Sequence, residues 1–244
     1  MTTISAEGLH YRKLNDLIHE AIAAGETEIT VDGVVGQRYI GAGLGDGLRL
    51  TLNGVPGNDL AAFMNGAEIT VKGNGQDGVG NTMNAGRVIV HGDAGDLLGH
   101  SMRGGSIFIE GLVGYRCGVH CKAFADQLPT IVAGRTAGDY LGEYIAGGIV
   151  VVLNCEDVHE SPVGRYAGTG MHGGAIFVRG TVEDHQTGAE VGLAEPDDED
   201  WRLVSSLIAE HCSEFDLDPT RFDRSDFVKL CPYSTRPYGK LYSY

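Results

Sequence analysis

The chain has 244 residues, 42% of them hydrophobic, and carries a net charge of −15 from 18 basic and 33 acidic side chains. That is enough apolar material for a core, and the acidity opposes a phosphate backbone or an anionic membrane surface, so no nucleic-acid or membrane partner is expected. No run approaches the ~20 apolar residues of a membrane span, and Met1 to Glu7 lack the basic flank and apolar stretch of a signal peptide, so the expectation is a cytoplasmic protein whose five cysteines are reduced.

In chain order, Leu14, Leu17, Ile18, Ala21 and Ile22 recur at helical spacing between Tyr11 and Ala24, with Gly25 as a stop. This predicts a short amphipathic helix. Glu28 to Gly33 reads as a strand. The segment 1–47 is expected to cap one end of the architecture that follows, because an open strand edge invites unwanted pairing.

From 48 to 194 the chain repeats. Gly54, Gly73, Gly92 and Gly111 are each 19 residues apart. A β-type run precedes each one, and the pattern continues more loosely before Gly134, Asn154 and Gly180. Self-similarity at this period means stacked coils of a solenoid. Counting back from each anchor, one column reads Leu50, Ile69, Val88, Ile107, Thr130, Val150 and Ile176, and a second reads Leu52, Val71, Val90, Ile109, Val132, Val152 and Val178. Alternate strand residues share a face, so these columns should be ladders lining the interior. The insertions after Gly111 and Asn154 break the strict hexads of a left-handed helix, and right-handed crossover is the default. The predicted fold is therefore mainly β: a single-stranded right-handed parallel β-helix of about seven coils, with short capping helices at both ends.

The outward positions change along the stack. Early coils present Arg49, Thr51, Glu68 and Lys72, whereas the coils around 129–153 present Ile131, Ala133, Ile149, Val151 and Leu153. Strands apolar on both faces are buried on both faces. Something should cover that side, either the chain's own termini or a partner.

Segment 195–244 opens on the acidic run Glu195 to Asp200, which suits a helix N-terminus. Trp201, Val204, Leu207 and Ile208 follow at helical spacing, and Phe215, Phe222, Phe227, Tyr233, Tyr238, Tyr242 and Tyr244 make the tail aromatic. Such a tail either docks elsewhere or lies back on the solenoid.

Four clusters carry reactive groups. Cys117, His120 and Cys121 unite soft-metal ligand types, but the C-x₃-C spacing has no second matching pair, and corner packing is the reading adopted. Cys155, Glu156, His159 and Glu160 lie in the longest insertion and are read as a solvated loop. His172 sits among Gly170, Gly173 and Gly174 as a corner histidine, and Met64, Met83 and Met102 as internal packing. The glycine-rich stretch from Gly41 to Gly47 precedes a strand and not a helix, so it lacks the geometry of a phosphate loop. No catalytic, cofactor or metal residue is assigned.

The motifs Tyr11–Asn15, Gly36–Gly43, Gly54–Leu60, Gly78–Met83, Gly114–Arg116, Gly142–Tyr144 and Gly170–Gly174 occur in succession. Together with the glycine period, they resemble the C-terminal β-helix (GXGXG) domain of the glutamate synthase large subunit over roughly residues 8 to 210. The resemblance implies a non-catalytic subunit of a glutamate synthase-like oxidoreductase complex, which moves the glutamine amide nitrogen to 2-oxoglutarate. It places FMN and iron–sulfur clusters on a partner subunit and glutaminase chemistry on an amidotransferase subunit, with no cofactor on this chain. A related domain serves formylmethanofuran dehydrogenase, which makes a scaffold in that complex the alternative. A β-helix enzyme acting on acidic polysaccharide is disfavoured by the −15 charge. Candidate interface residues are Ile131, Ile149, Val151 and Leu153 as a covered apolar surface, with Arg116, Glu143 and Tyr144 carried over from matching motifs.

Overall fold

Alternating Val, Ile and Leu drive short segments of this chain into strands with one dry face. In the computed structural model, which describes residues 2–156 and 161–234, the strands in order are β1 (Thr2–Ser5), β2 (Glu28–Val35), β3 (Arg49–Val55), β4 (Asn65–Lys72), β5 (Ala85–Val90), β6 (Ser106–Ile109), β7 (Thr130–Ala133), β8 (Ala146–Val152) and β9 (Gly173–Arg179). Each pairs in parallel with the next. β10 (Val191–Ala194) and β11 (Phe227–Pro232) complete an 11-stranded sheet, β11 lying antiparallel to β9 with β10 outermost. Helices α1 (Tyr11–Ala23) and α2 (Asp198–Phe215) accompany them. Consecutive parallel pairing from β1 to β9 makes the fold a β-solenoid.

The register confirms the predicted ladders. Ile29, Leu50, Ile69, Val88 and Ile107 form one inner column, and Val31, Leu52, Val71, Val90 and Ile109 the other. All of them are buried in one continuous core. One coil departs from the expectation. Ile107 pairs with Ile131, and Ile109 with Ala133, so Ile131 and Ala133 point inward while Thr130 and Val132 point outward. Counting back from Gly134 fails here because that glycine directly follows the last paired residue, whereas Gly111 stands two positions after Ile109.

The outer face is polar at first and apolar later. Glu28, Arg49, Glu68 and Arg87 stack in register, with Arg49 Nη1 3.3 Å from Glu28 and its Nε 3.9 Å from Glu68. Ile89, Phe108, Val132, Val151 and Phe177 continue the neighbouring column. They share a second core with Val204, Leu207, Ile208 and Cys212 of α2. Predicted as an end cap, α2 instead lies along the side of the stack, because that is where unsatisfied apolar surface exists. The chain's own C-terminal segment is thus the cover expected over this side. α2 starts at a capping box in which the Asp197 side chain accepts from the Glu199 and Asp200 N–H groups.

The ends are closed differently. α1 sets Leu14 and Ile18 into the same core as Ile29 and Val31, as the N-terminal pattern predicts. At the far end β11 turns antiparallel and puts Leu230 into the same core. The tail therefore lies back on the solenoid as far as Ser234, with Phe222 and Phe227 in the α2 core. Tyr238, Tyr242 and Tyr244 lie outside the described residues.

Between coils, carboxylates and amides serve the backbone. The Asp96 N–H donates to Asp77 Oδ1 at 2.9 Å, and the Tyr115 N–H donates to Asp96 Oδ1 at 2.8 Å. Asn74, Asp93 and the Leu112 N–H repeat this relay one corner away. Part of the chain's acidity is therefore structural, spent on satisfying backbone donors where strand pairing stops.

Candidate docking surface

Across the core from the strands, each coil turns through three left-handed residues placed at every second position. The first ladder is Tyr39, Asp59, Gly78, Leu97, Arg116, Tyr140 and Tyr166; the second is Gly41, Ala61, Gly80, Gly99, Gly118, Gly142 and Gly168; the third is Gly43, Phe63, Thr82, Ser101, His120, Tyr144 and Gly170. All have positive φ. The middle ladder faces inward: a Cβ on Gly80 would meet Ile107 Cδ1 at 2.4 Å. That is why it is almost all glycine. The outer two ladders face solvent and tolerate side chains, although a bulky residue at positive φ is strained. Hydrogen bonds between coils hold them there, with the His120 N–H donating to Glu143 O at 3.0 Å and the Tyr144 N–H to Thr169 O at 2.8 Å.

The outward side chains form an aromatic and charged ribbon. His120 and Tyr144 stack with ring centroids 5.4 Å apart and planes 9° apart, and Tyr140 and Tyr166 stack at 5.0 Å. The Arg116 guanidinium lies 4.7 Å over the Tyr140 ring, and its Nε is 3.0 Å from Glu143 Oε2. The three residues taken from family motifs, Arg116, Glu143 and Tyr144, are thus brought together on one exposed face. Near it Asp59, Asn81 and His100 are hydrogen-bonded in series beside a groove of about 320 Å³ that Leu97 also lines. Burial, aided by the neighbouring His120, holds His100 below the usual imidazole range.

The other four interface candidates are placed elsewhere. Ile131 is a rung of the inner ladder between Ile107 and Val150. Ile149, Val151 and Leu153 are buried beneath α2, so the apolar surface read from the sequence is satisfied within the chain.

The cysteine cluster is packing. Cys117 and Cys121 are fully buried, and burial pushes the Cys121 thiol up to about 12 and Cys117 higher still. Cys121 Sγ donates to Gly99 O at 3.1 Å, while His120 points out to the ribbon. Among the described residues no three His, Cys, Asp or Glu side chains are grouped to hold a metal. Cys155 is half-buried, with its carbonyl accepting from Arg221; His159 and Glu160 lie outside the described residues. His172 is half-buried, its ring tilted 6.4 Å from Tyr144. The stretch from Gly41 to Gly47 belongs to the first turn, and β3 follows it.

The left-handed ladders and the carboxylate relays were missed in the sequence. Their signal is there: Gly78-x-Gly80, Gly41-x-Gly43 and Gly168-x-Gly170 are adjacent left-handed positions, and Asn74/Asp93 and Asp77/Asp96 repeat at 19 residues. No helix among the described residues is long and apolar enough to cross a membrane.

Fold and surface together define a β-solenoid whose distinctive element is the alternating left-handed turn. The GXGXG motif family, that of the glutamate synthase C-terminal domain, matches residues 23–232, and the chain belongs to it. The chain is also 44% identical over 249 residues to an uncharacterized protein of Methanocaldococcus jannaschii, covering 98% of this chain and 95% of that one.

Proposed function

We propose that this chain is a non-catalytic structural and docking subunit of a glutamate synthase-like oxidoreductase complex. In that complex a glutamine amidotransferase subunit releases ammonia, an FMN and iron–sulfur subunit makes glutamate from it and 2-oxoglutarate, and this chain braces the two. The single observation that carries the reading is the family match across 23–232, which spans the solenoid from β2 to β11. The chain's named reactive groups fit a scaffold: its cysteines at 117 and 121 are buried and protonated, and its carboxylates at 77, 93, 96 and 139 bind backbone N–H groups. Fold alone does not carry chemistry, so FMN and clusters are assigned to partner chains.

Native mass spectrometry of the tagged chain purified from its host tests this. The expected result is a stoichiometric assembly containing a flavoprotein and an amidotransferase. A pterin-bearing metal subunit in their place transfers the scaffold to a formylmethanofuran dehydrogenase-like complex, and a lone monomer overturns both.

A further inference from the structure

We infer that the part of the turn face centred on Arg103 and Lys122 docks an acidic, apolar-edged surface of a partner protein. The inference rests on the docking role proposed above but not on which complex it serves. Arg103 and Lys122 are 19 residues apart and both exposed. They leave successive coils from one column: the Arg103 N–H donates to Met83 O at 2.8 Å and the Lys122 N–H to Met102 O at 3.0 Å. Like charges one layer apart repel, and among the described residues neither side chain has an ion-pair partner.

The local charge runs against the molecule. Between Leu97 and Lys122 lie Arg103, Arg116 and Lys122 and a single acid, Glu110, in a chain with 33 acidic and 18 basic residues; Asp96, just before them, is engaged by the Tyr115 N–H at 2.8 Å. Glu110 belongs to the other side, with Oε2 3.9 Å from His91. On the adjoining coil Glu143 is paired with Arg116, and Asp139 accepts the Arg165 N–H. Asp126 is the remaining exposed acid of the neighbouring loop and forms no ion pair with either cation among the described residues. The same and the adjoining coil carry exposed apolar groups: Phe124 at 65%, Tyr115 at 54% and Leu128 at 41% exposure, with Tyr144 stacked on His120.

Aromatic side chains and Arg are the groups interfaces favour. Cations at their border steer and orient a carboxylate-bearing partner, and the turn is already fixed by hydrogen bonds from both neighbouring coils, so little ordering cost remains. A protein is favoured over nucleic acid because the whole chain carries −15 and repels a polyphosphate.

The test places a photo-cross-linking phenylalanine analogue at Phe124 and, as a control, at Thr220 on the α2 side, in the full chain expressed in its host. Position 124 is expected to cross-link a stoichiometric partner at a segment rich in Asp and Glu. Arg103→Glu with Lys122→Glu should lower that yield at least about tenfold without moving the thermal midpoint, and Arg103→Gln with Lys122→Gln should lower it less. Cross-links from position 220 alone, a yield indifferent to charge reversal, or a product that is nucleic acid or a second copy of this chain overturns the inference. A flavoprotein that co-purifies but cross-links only elsewhere spares the proposed complex. A cross-link from position 124 to an acidic partner without flavin or amidotransferase chemistry spares the docking face and removes the complex.

Discussion

Gly80 and Ile107 meet across the core, so that a Cβ at position 80 would stand 2.4 Å from Ile107 Cδ1. Gly41 with Ile69, Gly99 with Ile131 and Gly142 with Ile176 repeat the contact in other coils. The exception supports the rule: Ala61 carries a Cβ at φ 59°, and the ladder residue opposite by the same offset is Val88, which has no Cδ1. Gly80→Ala should therefore cost about 2–3 kcal/mol, from left-handed strain plus overpacking. Ile107→Val should be less harmful in the Gly80→Ala background than in the native chain. Urea unfolding of the four proteins checks this; a purely additive cycle would mean that the two residues are not in contact.

Aspartate 96 accepts the Tyr115 N–H at 2.8 Å where the coil has no strand partner for it. Asp96→Ala should cost roughly 1–2 kcal/mol, because a backbone donor loses its acceptor. Asp96→Asn should retain most of the stability. Asp126→Ala, at an exposed loop position, should stay within about 0.5 kcal/mol of the native chain. Equal effects at 96 and 126 would show that the relay contributes nothing.

These two elements show what the sequence made legible. Leu50, Leu52, Ile69 and Val71 declared an interior because burial selects apolar residues at alternate positions. Gly80 and Asp96 declared less: the glycine and aspartate repeats are visible in the sequence, but the outer ladder beside Gly80 holds Gly78, Leu97, Arg116 and Tyr140 at one left-handed position, which hides the turn. The rung at Ile131 is hidden because Gly134 directly follows the last paired residue, so counting back from the glycine turns Ile131 outward although the strand pairing sets it inward. The apolar residues Ile149, Val151 and Leu153 were read as covered, and they are; distance in sequence hid that α2, some fifty residues on, is the cover. Of the seven interface candidates, the three that stay exposed or half-buried on one face, Arg116, Glu143 and Tyr144, came from motif resemblance rather than from periodicity.

The α2 contact has a pH signature. His211 is buried on α2, with Nε2 3.0 Å from Ile109 O and Nδ1 without a partner. Burial pushes its pKa from 6.5 down to about 4, the Ile109 carbonyl acting in the other direction. The fold therefore favours neutral imidazole: this contribution is complete above pH 6.5 and is lost as pH falls through 4. Its size is on the order of 3 kcal/mol. The native chain's urea midpoint should fall between pH 7 and pH 5 more steeply than that of His211→Gln. Parallel pH profiles for the two would remove His211 from the account.

Thiol reactivity should sort by burial. Cys155 and Cys231 are half-buried, whereas Cys117, Cys121 and Cys212 are buried with raised pKa values. An aromatic disulfide reagent should label only the first pair in the native chain and all five after unfolding. Native-state labelling of Cys117 or Cys121 would contradict the packing of the turn.

Reconstitution of the proposed complex from separately purified subunits, with and without this chain, tests the proposed scaffold role most directly. The expected result is that glutamine-dependent glutamate formation collapses when the chain is omitted, while the flavin content of the oxidoreductase subunit and the glutaminase activity of the amidotransferase subunit persist. Full coupled synthesis in its absence would contradict the account.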